Sequence, residues 1–271
     1  MRLRSRSGMI VWAAAVVVFA AVAWQSINLR LHLGRPVVLT GWTLLALMVF
    51  LAAFNWRKKL SMVPVGRASF WLGLHVVGGI LALGIFFLHT NAVWPEGAYE
   101  QVLAALFYLT SLSGILGLVF TRTYPRRLTH ADYEIIYERI PAEVARMREE
   151  AEQVVLDCTA ETGSDTLARH YLDTLSWYFR RPRFGLSYLV GSDRGDHWLR
   201  HELAAVSRYL SDGERKYLDR LRELGRTKTR VDRHYAGQSI LKYWLLFHVP
   251  LAAAVMVITV WHVLLVHVYA L

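Results

Sequence analysis

The sequence predicts an all-α integral membrane protein with five transmembrane helices and a helical soluble insertion ahead of the last. Three observations predict it. Five stretches contain no Asp, Glu, Lys or Arg: Ser7 to Leu29, Pro36 to Trp56, Ala68 to Pro95, Gln101 to Thr121 and Tyr243 to Leu271. Nineteen of the 21 acidic and 22 of the 31 basic residues fall between Arg122 and Lys242. Within that charged segment no strand-like pattern runs longer than Gly185 to Val190, and there is no repeat or phosphate-binding glycine loop.

Each uncharged stretch is long enough to span. A bilayer core of about 30 Å needs about 20 apolar residues as helix. The first stretch follows Arg2, Arg4 and Arg6, as a signal peptide would. Its apolar part exceeds the ~7–15 residues of a signal core and no small-x-small cleavage site stands out, so a retained span is expected. The chain then divides into 1–121, a membrane domain with helices one to four; 122–242, a soluble helical domain; and 243–271, the fifth helix.

Loop charges set the expected orientation. Arg2, Arg4 and Arg6, then Arg57, Lys58, Lys59 and Arg67, then Arg122, Arg126 and Arg127 all lie on one side if five helices alternate. The opposite loops carry only Arg30 and Arg35, and Glu96 with Glu100. The N-terminus and the 122–242 domain are therefore expected in the cytoplasm and the C-terminus outside, in the inner membrane of a bacterium. The third and fifth helices then run parallel.

Inside the soluble domain, Asp132 to Asp157 shows helical spacing of Ile135, Ile136, Ile140, Val144, Met147, Val154 and Val155, with Pro141 as an expected break. Asp165 is an expected cap for a helix to Arg180, and a third helix runs from Asp196 past a break at 211–213 toward Leu224. The domain's charge is only +3 (22 minus 19), which does not suit a nucleic-acid binder. No catalytic constellation is recognisable, so a docking or assembly role is expected. The single cysteine, Cys158, excludes a disulfide within the chain and a four-thiolate iron–sulfur cluster held by it alone.

The third span holds His75 and His89, and the fifth holds His248 and His262; both pairs are 14 residues apart. Ionisable residues inside spans are costly and usually functional. Fourteen residues rise about 21 Å and turn about 3.9 times, so each pair points to nearly one side. Two parallel helices then offer one histidine each at two depths. His75 with His248 near the cytoplasmic face, and His89 with His262 near the outer face, would each grip a flat porphyrin from both sides. Two stacked b-type haems with both axial positions filled suit electron transfer better than oxygen chemistry. Gly78 and Gly79, with Gly73, Ala82 and Gly84, leave room beside the third helix for a macrocycle, although close helix packing uses small residues too. Arg30 and Arg35 on the outer loop, and Arg67 and Lys242 on the inner side, are candidate partners for haem propionates; ordinary interfacial snorkelling would place them equally well. His197 and His201 lack the Glu of an HExxH pattern and a third ligand, so no metal is expected there.

The runs Leu74-His75-Val76-Val77-Gly78-Gly79 through Phe87-Leu88-His89, and Phe247-His248-Val249-Pro250 through Trp261-His262 to His267, resemble the two haem-binding helices of cytochrome b in quinol-oxidising cytochrome bc complexes. The ligand spacing is the same. The resemblance implies two haem b groups and places a histidine, His267, where the family has one near a quinone. It covers about a fifth of the chain. The family's ligand helices are second and fourth, joined by a short hairpin, and its Pro-Glu-Trp-Tyr quinol motif has no counterpart here. The resemblance therefore implies a cytochrome b-like dihaem core, not a cytochrome bc subunit.

The expected function is a dihaem b-type cytochrome that moves electrons within or across the membrane, as the membrane subunit of a quinone-linked complex. No flavin, nicotinamide or iron–sulfur motif is evident, so an iron–sulfur, flavin or c-type cytochrome partner subunit would complete the oxidoreductase. The alternative is a non-redox assembly factor or transporter that uses intramembrane histidines for proton or metal transfer. That reading gives no reason for matched spacing on parallel helices.

Overall fold

The protein is described by a computed structural model covering residues 6–54, 68–128 and 135–269. Arg2, Arg4, Trp56, Arg57, Lys58, Lys59, Arg67, His130 and Asp132, on which parts of the sequence reading rest, lie outside the described residues, as do the side chains of Arg6, Arg126 and Arg127. Every regular element among the described residues is helical. Five of the helices are long and apolar enough to cross a membrane.

Four of these come first: α1 (Arg6–Leu31), α2 (Pro36–Ala53), α3 (Ala68–Thr90) and α4 (Ala98–Leu128). The insertion holds α5 (Ile140–Thr162), α6 (Thr166–His170), α7 (Ser176–Phe179), α8 (Gly185–Leu189) and α9 (Arg194–Ser207), and α10 (Asp212–Tyr269) contains the fifth apolar stretch. The chain forms two units, 1–118 with 244–271, and 119–243.

In the first unit, α1 turns into α2 through a compact helix stop. The Gly34 amide donates to the Leu29 carbonyl and the Leu33 amide to that of Arg30, with Leu33 left-handed at φ 55°. This is a Schellman arrangement, which satisfies carbonyls that the helix end leaves bare. Pro36 then opens α2, where its missing N–H costs nothing. Asn91, at φ 53°, ends α3 in the same left-handed way.

The core of this unit gathers Leu44 and Met48 of α2, Ala82, Ile85 and Phe86 of α3, Ala104 and Phe107 of α4, and Val255 of α10. Val16, Val17, Val49, Leu112, Ile115, Val257 and Val260 point outward and stay exposed. Such uncovered apolar surface is disfavoured in water and suits hydrocarbon. Two hydrogen bonds fix the last span against α4: Tyr99 Oη donates to the Ile258 carbonyl and Trp244 Nε1 to the Ser113 carbonyl, both at 2.8 Å. Trp244 lies so close over Gly117 that a Cβ there would come within 1.9 Å of the indole.

The second unit folds around α5, whose buried face is Ile140, Val144, Met147, Ala151, Val155 and Cys158, at steps of three and four residues. Pro141 does not break this helix; it sits in its first turn, where proline is tolerated. Gly163, at φ 70°, ends it. Asp165 precedes α6 without making a cap hydrogen bond, and its carboxylate pairs with Arg169 instead. A π turn, Tyr171–Leu175, separates α6 from α7. The strand-like run at 185–190 is helical, as α8. Ser211 opens α10: its amide and hydroxyl both donate to Glu214 Oε2, at 2.8 and 2.9 Å, the carboxylate half of a capping box. The expected break at 211–213 is therefore the start of a 58-residue helix that continues through Leu224 to Tyr269. Pro250 removes one amide donor from that helix.

One ion pair in this unit is fully buried. Lys228 Nζ lies 2.6 Å from Asp232 Oδ2, and neither side chain has any exposure. The ammonium also donates to the Arg181 carbonyl at 2.9 Å and lies 4.0 Å from the centre of the Tyr178 ring. Burial pushes Lys228 down to about 8 and Asp232 up to about 6, more than their mutual attraction restores.

Candidate functional site

His75 and His89 leave α3, and His248 and His262 leave the apolar part of α10. All four are half-buried. His89 and His262 face each other with ring centroids 6.4 Å apart and planes at 88°. A metal–imidazole bond is about 2 Å and the ring centre lies roughly 1 Å behind its nitrogen, so two imidazoles on one iron stand roughly 6 Å apart, centre to centre. The observed separation matches that requirement.

The hydrogen bonds of His89 add to the fit. Its Nδ1 lies 3.2 Å from the Val37 carbonyl and 3.2 Å from Thr40 Oγ1. A carbonyl only accepts, so Nδ1 carries the proton and Nε2 keeps its lone pair. This is how metal-binding histidines are commonly oriented. Thr40, fully buried, donates to the Pro36 carbonyl at 3.0 Å. Gly41 follows it, and a Cβ there would stand 3.0 Å from His89 Cε1. Glycine lets the imidazole lie against the α2 backbone.

The other pair shows a related arrangement. His248 Nδ1 lies 3.2 Å from Ser113 Oγ on α4, and Gly114 follows, 3.7 Å from His248 Cε1 when given a Cβ. Trp244 stacks on His248 at 5.3 Å. His75 packs against Phe54 at 4.9 Å. Each of these two ligand candidates on different helices, His89 and His248, thus rests on a hydroxyl-glycine dipeptide, Thr40-Gly41 or Ser113-Gly114. The sequence reading missed both dipeptides, although a hydroxyl beside a glycine inside an apolar span was the available signal.

A cavity of about 420 Å³ opens between α2, α3, α4 and α10, within the ~300–1,000 Å³ usual for cofactor sites. His89, His262 and His267 line it, with Trp42, Phe107 and Thr259. His267 does more than face beside the ligand pair: it opens onto the same cavity and meets the Trp42 ring edge-on at 6.0 Å. Tyr99 stacks on His262 at 6.1 Å.

The glycines divide. A Cβ on Gly79 would meet nothing within 4 Å, so space exists there. One on Gly78 would press on Leu51 of α2 at 3.2 Å, and one on Gly84 would press on Phe19 of α1 at 3.0 Å. Gly78 and Gly84 therefore let α3 pack closely on α2 and α1. Arg30 donates to Asn91 Oδ1 at 3.1 Å, which brings its charge to the end of α3 two residues past His89. Arg35 directly precedes α2. Lys242 belongs to the second unit, where it lies 4.3 Å over the Tyr137 ring and 4.0 Å from Glu138.

Comparison of the chain with protein-family models, with curated proteins and with solved structures finds no match.

Proposed function

We propose that the chain is a dihaem b-type cytochrome that carries electrons within or across the membrane, as the membrane subunit of a quinone-linked redox complex. The observation that carries this reading is the His89–His262 pair, at the separation two imidazoles adopt on one iron, with the His89 Nδ1 proton held by a backbone carbonyl. The matched 14-residue spacing extends it to His75 and His248.

Haem, when bound, supplies one-electron redox chemistry. The protein's part is to hold it and tune it. His75 with His248, and His89 with His262, would hold the two haem irons. Thr40, the Val37 carbonyl and Ser113 fix ring orientation and tautomer, which raises ligand basicity. Apolar walls keep water away. Arg30 and Arg35 supply positive charge where propionates of the outer haem would emerge. The 122–242 domain, on the cytoplasmic side in this topology, docks the iron–sulfur, flavin or c-type cytochrome partner, and the C-terminus lies outside.

His267 is the quinone residue in this reading. Its imidazole shares the cavity with His89 and His262, where it can hydrogen-bond a quinone carbonyl and pass a proton. Quinol added to membranes containing the protein should reduce the b-type chromophore, and His267→Ala should slow that reduction about tenfold or more while haem content stays at the parental level, the loss expected for one hydrogen bond of about 1.4 kcal/mol or stronger. An unchanged rate in the variant would remove His267 from the quinone site and leave the haem ligands untouched.

A further inference from the structure

We infer that the segment from Trp177 to Val190 in the second unit is a membrane-surface anchor that binds anionic lipid. The inference rests on the reading of the chain as membrane-spanning and is independent of whether it holds haem.

The first observation is apolar exposure. On α8, Tyr188 turns inward and is buried, while Leu186 is 83% and Val190 78% exposed. These two are four residues apart, Leu186 within α8 and Val190 as the residue that ends it. Leucine and valine uncovered to that degree beside one another need a partner that is not water. Trp177, 43% exposed, stands a short distance back along the chain.

The second observation is charge. Arg180 and Arg181 are exposed, and Arg183 stacks over the Trp177 ring at 4.1 Å. Asp232, which accepts from the Arg183 amide, is fully buried and paired with Lys228. Asp193 and Asp196 are both held by Arg233, whose guanidinium also lies 5.4 Å from the centre of the Tyr188 ring. Arginines flanking a tryptophan and two exposed aliphatics form the composition that lies in a headgroup layer: the rings and aliphatics enter the acyl boundary and the guanidinium groups meet phosphate.

The third observation is a tether. Tyr124 Oη donates to the Leu189 carbonyl at 3.3 Å. Tyr124 is three residues past the uncharged stretch Gln101 to Thr121, so the backbone of α8 is tied to chain close in sequence to an apolar span. Apolar exposure and positive charge together favour one occupant, the anionic surface of a bilayer.

The test uses the full chain reconstituted into vesicles of phosphatidylcholine, with or without phosphatidylglycerol, carrying a fluorophore on Leu186→Cys. The parent chain, whose one thiol is the buried Cys158, controls for background labelling. Nitroxide-bearing lipids should quench most of the emission and aqueous iodide little of it. Quenching by lipid should be greater with phosphatidylglycerol, and Arg180→Glu with Arg181→Glu should abolish that difference. Iodide quenching without lipid quenching would overturn the proposal, because the face would then be in water. Protection from both quenchers would overturn it too, because protein would then cover the face. Equal lipid quenching in the two vesicle types would overturn the assignment to anionic lipid.

Discussion

Chains carrying His89→Ala should hold one b-type haem where the parent holds two. The imidazole of His89 reaches the cavity opposite that of His262, with ring centroids 6.4 Å apart, and alanine has nothing to put in its place. Haem held by one remaining ligand loses its low-spin, six-coordinate character. The His75–His248 pair, about 21 Å away along the helices, is not touched by the change. A second variant approaches from the other wall. A Cβ on Gly41 already comes within 3.0 Å of His89 Cε1, so Gly41→Leu drives a side chain into the space the imidazole occupies and should give the same loss of half the haem. Pyridine haemochrome counts on purified protein check both. Two low-spin haems retained in His89→Ala would show that the ligand assignment is wrong.

Lys228→Met should be the most destabilising single change in the second unit. It leaves Asp232 fully buried, with the Arg183 amide at 3.2 Å as a donor to Oδ2 and with no partner for Oδ1 among the described residues. Breaking a buried pair from one side typically costs about 3–5 kcal/mol, a large part of the roughly 5–15 kcal/mol that holds a domain folded. Removing both charges, in Lys228→Met with Asp232→Leu, should recover most of the loss, because the desolvation cost goes with them. Thermal unfolding of the full chain in detergent, followed by protease cleavage of the second unit, separates the single from the double variant. Equal loss in both would mean that packing, not uncompensated charge, sets the cost.

The same pair fixes a pH dependence. Asp232 titrates at about 6, above its ordinary 3.8, so its protonated form favours folding and that contribution is lost as pH rises from about 4 through 6. Lys228 titrates at about 8, below its ordinary 10.5, so its neutral form favours folding above about 10.5 and that contribution is lost as pH falls through 8. The pair favours folding least between about 6 and 8, and Lys228→Met with Asp232→Leu should flatten both slopes.

The spans and the two histidine pairs were legible because both are one-dimensional. An uncharged run of 20 residues and a 14-residue histidine spacing depend only on rise and turn along a helix. What escaped depends on the neighbour. Nothing local distinguishes Gly78, which packs on Leu51, from Gly79, which faces open space. Thr40-Gly41 and Ser113-Gly114 acquire meaning only once α2 meets α3 and α4 meets α10. Helix boundaries failed for another reason: start and break signals are the same residues. Pro141 and the 211–213 triplet read as interruptions, yet both sit in a helix's first turn. The run at 185–190 reads like a strand but forms a short helix, Gly185–Leu189, that buries Tyr188 and exposes Leu186. The direction of insertion rests on loop arginines and lysines that lie mostly outside the described residues.

The reduced-minus-oxidised visible spectrum of the purified chain, taken with a haem count per polypeptide, tests the central claim most directly. The account predicts the sharp α-band of low-spin, bis-imidazole b-type haem at two haems per chain. A protein that purifies folded, with no haem absorbance after expression in haem-replete cells, would contradict it.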